Sequence, residues 1–360
     1  MVAVISYPFD RQGGERWSEA LAGKRPAFAC VVGFTETCLI PGISAAGSTP
    51  EARRYTAAGD AEVLLHGWSS RLPTAPEGYP SPVVISRAVV QLLNLPVWIL
   101  DSGLGEPCMG GIVLGGTPAR CLSTGRAMST QTVSDLFEQG LLWGERLARE
   151  GDYLVIGECV AGGTTTALAV LLGLGFAAEG LVNSSHPCCN HDQKQQLVRL
   201  GLTRGGLGHR ATAMEVVAAV GDPVQPVVSG MLLAASLYTP VLLAGGSQML
   251  AIAALAARLA HESGIVWQAN RVAVGTTRWV AQDPSADAAH LARLVGVVPL
   301  LASTLSFAAS AHVPLRAYER GYVKEGVGAG GLAIAAHLAG IEHDELLAAI
   351  EGVFERLTIG

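Results

Sequence analysis

The sequence predicts an α/β protein with a doubly wound, mostly parallel sheet, helices on both faces and a small helical lobe formed by the chain ends. Short β-branched apolar runs alternate along the chain with amphipathic segments, a pattern typical of a parallel sheet covered by helices. Half of the 360 residues are hydrophobic and only 15% are charged, which is enough to build a large buried core. Glycine-rich loops follow several of the predicted strands, where open parallel sheets bind their ligands.

Each element follows from a local signal. The predicted strands are 28–35, 63–67, 96–103, 153–157, 241–246 and 271–276. The predicted helices begin near residues 48, 82, 129, 164, 190, 248, 283, 328 and 343. Hydroxyl or acidic capping residues indicate several of these starts, and glycines are expected to end the helices at Gly201 and Gly264.

No interdomain linker or internal repeat interrupts this order. The sequence therefore predicts a single α/β domain over residues 1–360. Within it, we expect residues 28–327 to form the sheet core, and residues 1–27 and 328–360 to form the terminal lobe.

Composition excludes several classes of protein. A net charge of -6 provides no basic field for nucleic acid or an acidic membrane surface. No apolar run reaches the roughly 18 to 20 residues of a membrane-spanning helix, and the N-terminal residues lack the basic region of a secretory signal. The seven cysteines form no CxxC pair, which is typical of reduced cytosolic thiols. We expect a cytoplasmic protein whose apolar surplus is covered in a homodimer.

A possible metal cluster is the segment containing His186, Cys188, Cys189 and His191. Adjacent cysteines are poorly arranged to ligate one tetrahedral ion, and structural zinc sites normally space their ligands further apart. We expect a polar loop before a helix and no metal, and the sequence leaves the role of these side chains open.

The loop at residues 157–166, GECVAGGTTT, lies between a predicted strand and a predicted helix. It nearly matches a nucleotide P-loop, but Gly163 replaces the lysine and Glu158 lies inside the loop. Backbone N–H groups at a helix N-terminus suit a single phosphate. We therefore expect Gly162, Gly163, Thr164 and Thr165 to bind a phosphate group, although a tight strand–helix turn would show the same residues.

A second loop, KEGVGAGG at residues 324–331, satisfies GxGxxG with Gly326, Gly328 and Gly331. No apolar strand precedes it, so it is a weak dinucleotide fingerprint. The glycines leave room for a ligand beside Glu325. Two glutamates on two glycine-rich turns suggest carboxylate acid–base chemistry beside a phosphate pocket.

Four segments in the same order resemble the nicotinate-nucleotide:dimethylbenzimidazole phosphoribosyltransferase family. They are Gly157-Glu158 through Thr164-Thr165, Lys194 through Val198, Glu215 through Ala257, and Tyr322 through Ala329. The resemblance covers roughly residues 110–340. It implies transfer of the phosphoribosyl group of nicotinate mononucleotide to an azole base such as 5,6-dimethylbenzimidazole, without a metal or organic cofactor, by a homodimer.

The resemblance also implies roles for particular residues. Glu325 would be the general base, and Glu158 a second carboxylate near the ribose and the acceptor. The substrate's phosphate and ribose would contact Gly162, Gly163, Thr164, Thr165, Lys194, Gly326 and Gly328.

This sequence departs from the family on the acceptor side. An acidic-His-Gly turn is absent after the first strand, and Ala244-Gly245-Gly246 replaces the family's D-G-F. The identity of the acceptor therefore stays open. Two alternatives also remain: a non-catalytic nucleotide-binding protein of the same fold, and a dinucleotide-dependent oxidoreductase using residues 326–331.

Overall fold

The computed structural model describes residues 5–208 and 210–359, which form one eight-stranded sheet with helices around it. The strand order is β1-β8-β7-β6-β5-β2-β3-β4, and every neighbouring pair is parallel except β1 and β8. The strands are β1 (Ile5–Phe9), β2 (Pro26–Gly33), β3 (Val97–Gly103), β4 (Ile112–Val113), β5 (Tyr153–Cys159), β6 (Val241–Ala244), β7 (Val272–Thr277) and β8 (Leu300–Ser303).

Helices cover both faces of the sheet, and short 3-10 turns lie between some of them. The helices are α1 (Arg11–Leu21), α2 (Arg53–His66), α3 (Val83–Leu92), α4 (Thr130–Leu147), α5 (Gly163–Gly173), α6 (His191–Gly205), α7 (Ala213–Val220), α8 (Val224–Ala235), α9 (Ser247–Ser263), α10 (Arg278–Ala281), α11 (Ala288–Val295), α12 (Val313–Arg316), α13 (Ala329–Leu338) and α14 (His343–Ile359). No helix in the described part of the chain is long and apolar enough to cross a membrane.

Two hydrophobic cores form because side chains alternate between the faces of each strand. On β5, Leu154 and Ile156 enter one core, which contains residues of α4, α5, α8 and α9. Tyr153 and Val155 enter the other, which contains residues of α2, α3, α13 and α14. The predicted doubly wound, mostly parallel sheet is confirmed.

The predicted strand at residues 63–67 is wrong, because this segment is the last turn of α2. Ala57, Ala61 and Leu64 follow helical spacing and are all buried. Gly67 then ends the helix with a left-handed conformation at φ 80°. A five-residue apolar run does not distinguish a strand from one buried helical turn.

Gly201 does not end α6, which continues to Gly205 and is capped by Gly206. A Cβ at Gly201 would lie only 2.4 Å from the carbonyl oxygen of Leu122. The glycine is therefore required for close packing against a neighbouring 3-10 turn, which the sequence pattern does not distinguish from helix termination.

The predicted helix start at Asp283-Pro284 is four residues too early. The carboxylate of Asp287 caps α11 by accepting a hydrogen bond from the His290 N–H at 2.8 Å. Asp283 instead forms a buried ion pair with Lys324 at 2.5 Å.

Of the described terminal segments, the first forms an edge strand of the sheet and the last packs on α3. The sequence pattern missed β1, which pairs antiparallel with β8 at the sheet edge. Residues of α13 contact β7 and α3. The division into a core at 28–327 and a lobe at 1–27 and 328–360 stays a prediction.

Candidate active site

One cavity lies at the carboxyl ends of the central strands. The glycine-rich loops identified from the sequence at 157–166 and 324–331 contribute residues to its lining, and so do Gly246 and Ser247 after β6. The other walls come from α2, from residues 73–75 and 81–82, and from residues 183–185. Both glutamates singled out by the sequence, Glu158 and Glu325, line this cavity. The cavity therefore contains the two carboxyl groups together, although they lie far apart along the chain.

The Glu325 carboxylate is held by four hydrogen bonds. Oε2 accepts from the Thr276 hydroxyl at 3.1 Å and the Thr277 N–H at 2.9 Å. Oε1 accepts from the N–H groups of Gly326 and Gly330, both at 3.1 Å. Burial raises the pKa of Glu325 to about 7, while these four hydrogen bonds oppose the shift because they favour the charged form.

Glu158 is the second-last residue of β5 and has fewer partners. Burial raises its pKa to about 8, and the negative charges of Asp222 and Glu325 add to this shift. Asp222 is fully buried and accepts hydrogen bonds from Thr166 at 2.5 Å and Gln248 at 2.7 Å. The cavity therefore raises the pKa of both carboxyls toward neutral pH.

The loop that carries Glu325 has an unusual backbone. Val323, Lys324 and Val327 all have positive φ, between 57° and 68°. Left-handed backbone is costly for branched side chains, and such strain persists only where the surroundings fix it. The Val327 N–H donates to the Glu158 carbonyl at 3.0 Å, so this loop is tied directly to β5.

Glycine allows that close approach. A Cβ at Gly157 would lie 3.2 Å from Cα of Gly328, and Gly328 has φ 77°. Gly328 is fully buried against Phe28 and is not among the cavity-lining residues, whereas Gly326 is. The two loop glycines therefore differ: Gly326 faces the cavity, and Gly328 lets the loop pack on β5.

The predicted phosphate loop faces the cavity through Gly162, Gly163 and Thr164. The Thr165 side chain is fully buried, and the Thr165 N–H already donates to the Gly162 carbonyl at 2.9 Å. Among the predicted residues, Thr164 is the better placed to offer a backbone N–H to a ligand.

A second helix begins at the same cavity. Gly246, Ser247 and Gln248 at the start of α9 all line it. The N-termini of α5 and α9 therefore meet there, and aligned peptide dipoles at both ends favour an anion. The sequence showed Gly245 and Gly246 but not that the two helix ends converge.

Lys194 lies outside the cavity lining. Its ammonium group is fully buried and donates to the carbonyl oxygen of Asn183, which itself lines the cavity. Burial lowers the pKa of Lys194 to about 8. Lys194 therefore stabilises Asn183, a cavity-wall residue, without itself reaching the cavity.

The segment with adjacent cysteines follows the cavity wall. The His191 side chain contacts the Ser285 carbonyl at 2.6 Å, and the Cys189 thiol lies 3.7 Å from an Asp283 carboxylate oxygen. Residues 5–208 and 210–359 bring together no group of three or more His, Cys, Asp or Glu side chains that could hold a metal ion.

Two functional candidates were missed by the sequence reading. Asp60 on α2 and Asn183 both line the cavity and are almost fully buried. Asp60 fell within the segment before the mistaken strand, and no short motif surrounds it. The position of Asp60 on a helix indicates a site residue only once α2 is known to face the carboxyl end of β5.

The sheet order and the paired carboxyls define an α/β enzyme-like site, and comparison with known proteins identifies its class. A family model described as "Phosphoribosyltransferase" matches residues 92–273, just over half of the chain. The chain belongs to this phosphoribosyltransferase family, which confirms the resemblance found in its motifs.

Its curated relatives carry the designation UPF0284. The chain is 66% identical to UPF0284 protein glr4139 of Gloeobacter violaceus over 356 residues, covering 99% of this chain and 95% of the relative. It is 56% identical to UPF0284 protein Cyan7425_0342 of Cyanothece sp., covering 95% and 94%.

Solved structures share the fold. A nicotinate-nucleotide-dimethylbenzimidazole phosphoribosyltransferase of Thermus thermophilus matches with a TM-score of 0.60 at 18% identity, covering 96% of this chain and 91% of that one. CobT from the same organism matches with a TM-score of 0.62 at 20% identity, covering 97% and 92%.

Proposed function

We propose that this protein transfers the phosphoribosyl group of nicotinate mononucleotide to an azole base such as 5,6-dimethylbenzimidazole. The products would be an α-ribazole phosphate and nicotinate, a step that activates the lower ligand of cobalamin. The observation that carries the proposal is the meeting of Glu158 and Glu325 in one cavity with two helix N-termini. Membership of the phosphoribosyltransferase family supports the same reaction class.

The chemistry requires one general base. The donor's pyridinium nitrogen is already positive, so nicotinate leaves without being protonated. One nitrogen of the azole attacks the anomeric carbon, the bond to nicotinate breaks, and the other nitrogen must lose its proton. A carboxylate with a pKa near the working pH performs that task efficiently.

Glu325 is the better candidate for this base. Its four hydrogen bonds favour the ionised form, and its pKa of about 7 lies below that of Glu158, at about 8. Two carboxyl groups whose environments separate their pKa values can take different roles. Glu325 would accept the azole proton as one of its 3.1 Å hydrogen bonds lengthens, and protonated Glu158 would donate a hydrogen bond to the ribose or the acceptor.

The phosphate would be held where α5 and α9 begin. Gly162, Gly163 and Thr164 face the cavity from one side and Ser247 from the other. Helix N-termini suit a phosphate through backbone N–H donors and aligned dipoles. Neither this binding nor the leaving-group chemistry requires a metal or an organic cofactor.

The test is a two-substrate assay. The full chain would be incubated with nicotinate mononucleotide and a series of benzimidazoles, and free nicotinate and the ribosylated base would be measured by liquid chromatography and mass spectrometry. We expect both products in equal amounts and only when an azole is present. Binding of the mononucleotide without product from any azole would support the non-catalytic alternative and overturn the proposal.

The oxidoreductase alternative has weaker support. Before Gly326 the chain forms a 3-10 turn at Ala317–Arg320 and a strained loop, not the strand that a dinucleotide fingerprint requires. Titration with a nicotinamide dinucleotide, followed by absorbance, provides the direct comparison.

A further inference from the structure

Asp60 is a buried carboxyl group that the proposed reaction does not yet use. It lies on α2, is 2% exposed and lines the same cavity as Glu158 and Glu325. Its Oδ2 accepts a weak hydrogen bond from the Cys159 thiol at 3.4 Å. Its Oδ1 has no hydrogen-bond partner among the residues that the structure describes.

A buried carboxyl group with one unpaired oxygen is energetically unfavourable unless a ligand pairs with it. Buried polar atoms are nearly always hydrogen-bonded, and a carboxyl oxygen without a partner is costly. Burial raises the pKa of Asp60 to about 7, and the nearby Ser81 hydroxyl and Cys159 thiol only partly oppose this. A ligand that donates a hydrogen bond to Oδ1 would remove the cost.

The cavity that contains Asp60 has apolar lining suited to an aromatic ring. Ala75, Pro82 and Val327 give the cavity apolar lining, while Ser81 and Asp60 add polar groups. Asp60 and Glu325 line the same cavity. A bicyclic base could therefore place one edge at Glu325 and another part of its ring system near Asp60.

We propose that Asp60 is a specificity-determining residue of the acceptor pocket, which accepts a hydrogen bond from a hydroxyl or amino substituent on the acceptor base. This inference rests on the proposed transfer reaction and narrows its acceptor class. The preferred acceptor is an azole with a hydrogen-bond donor on its ring system, rather than one with alkyl substituents alone. A pocket built around such a bond rejects analogues that lack the donor, because the buried acceptor is then left unpaired.

The experiment compares two acceptors of nearly equal size, 5-hydroxybenzimidazole and 5-methylbenzimidazole. Their kcat/KM values with saturating nicotinate mononucleotide would be measured, and their equilibrium binding would be followed by calorimetry. We expect the wild type to favour the hydroxyl compound by about 10- to 100-fold in both measurements, the range for one buried hydrogen bond to a carboxyl group. Equal values for the two compounds would overturn the inference.

Two variants assign the preference to Asp60. Asp60→Leu removes the acceptor oxygens while keeping the branched shape of the side chain, and we expect it to abolish the preference. Asp60→Asn keeps one carbonyl oxygen and should retain a reduced preference, so it decides the question if the leucine variant does not fold. A wild-type preference that survives in both variants would contradict the role of Asp60.

Thr56→Val is the matched control. Thr56 lies one turn earlier on α2 and lines the same cavity, but its hydroxyl already donates to the Ala46 carbonyl at 2.6 Å. This variant should change both acceptors equally and leave their ratio unchanged. If Asp60 were only structural, its variants would behave in the same way and lower the melting temperature without changing that ratio.

Failure of the inference and failure of the proposed function give different results. If no azole releases nicotinate, the transfer reaction is wrong, whatever the binding ratio. If 5-methylbenzimidazole and 5-hydroxybenzimidazole both react equally well, the transfer reaction stands and only the role of Asp60 is lost.

Discussion

Replacing the proposed base, Glu325→Gln, tests the mechanism most directly. Glutamine fills the same volume but cannot accept the azole proton. Burial raises the pKa of Glu325 to about 7, so the ionised base is accessible near neutral pH. Loss of a general base typically slows turnover by about 10²- to 10⁴-fold, and we expect a fall in kcat within that range.

The substitution also carries a stability cost that the geometry predicts. Each carboxylate oxygen of Glu325 accepts two hydrogen bonds, and the amide group of glutamine would replace one acceptor with a donor. The orientation with the lower cost places the glutamine NH2 group beside Thr276, whose hydroxyl can rotate to accept a hydrogen bond from it. The Thr277 N–H then loses its partner. One buried unpaired donor costs about 1 to 3 kcal/mol, so the melting temperature should fall by a few degrees.

Thr276→Val separates that stability cost from the loss of the base. Valine is nearly isosteric with threonine and removes one hydrogen bond to the Glu325 carboxylate. Because that bond favours the charged form, its removal raises the pKa of Glu325. The rate of the wild type should rise with pH around 7, and the same rise should occur at higher pH in Thr276→Val, with the maximal rate largely retained.

The assay is nicotinate release between pH 5.5 and 9 with saturating substrates, alongside mononucleotide affinity by calorimetry and thermal melting. The reasoning is refuted if Glu325→Gln keeps most of its turnover and loses only stability. It is also refuted if Glu158→Gln is inactive while Glu325→Gln is active, because the base would then lie on the other loop.

Four further outcomes are expected. Nicotinate riboside should be at least about 100-fold poorer than the mononucleotide in kcat/KM, because it lacks the charge-assisted hydrogen bonds of a phosphate at Thr164; equal use of the two donors would refute this placement. Light scattering at micromolar concentration should give twice the chain mass of 37.2 kDa, and a monomeric mass would refute the expected homodimer. The pKa of Asp60 is raised on folding, so the folded state binds its proton more tightly and wild-type stability falls as pH rises from the unfolded pKa near 4 to about 7. Asp60→Asn lacks this proton, so its free energy of unfolding in denaturant should rise relative to that of the wild type by up to about 1.4 kcal/mol per pH unit in that window. The same pH dependence in both proteins would contradict this prediction. Gly201→Ala should cost about 1 to 3 kcal/mol in unfolding free energy because its Cβ would meet the Leu122 carbonyl, whereas Gly208→Ala, with open space at its Cβ, should be nearly neutral.

The parallel strands β2, β3, β5, β6 and β7 were predictable because they are short apolar runs between helix signals, whereas β1, β4 and β8 were missed. The mistaken strand at 63–67 shows where this signal fails. Val63 and Leu64 are buried in either a strand or a helix, so the local sequence does not decide between them. The packing of Ala57 and Ala61 decides it, and that packing depends on which face of α2 the sheet covers.

The two glutamates were predictable because each follows or precedes glycines that let a ligand approach a carboxyl group. The polar neighbours of Glu325 were not predictable, because Thr276 and Thr277 come from β7, about 50 residues away along the chain. Asp60 lay outside any recognisable motif, and the glycines before α9 did not show that this helix end meets the site. They reach the cavity through the order of strands in the sheet, which one sequence does not reveal.

The strained loop around Glu325 depends on contacts with neighbouring parts of the fold. In a free loop, left-handed backbone would not persist at Val323, Lys324 and Val327, because it raises the conformational energy of each residue. The ion pair of Lys324 with Asp283 and the hydrogen bond from Val327 to the Glu158 carbonyl hold the loop in place. Any substitution that loosens either contact should therefore let the loop relax and move the Glu325 carboxylate, even though neither contact is made by the carboxylate itself. The position of the proposed base thus depends on contacts that its own carboxylate does not make.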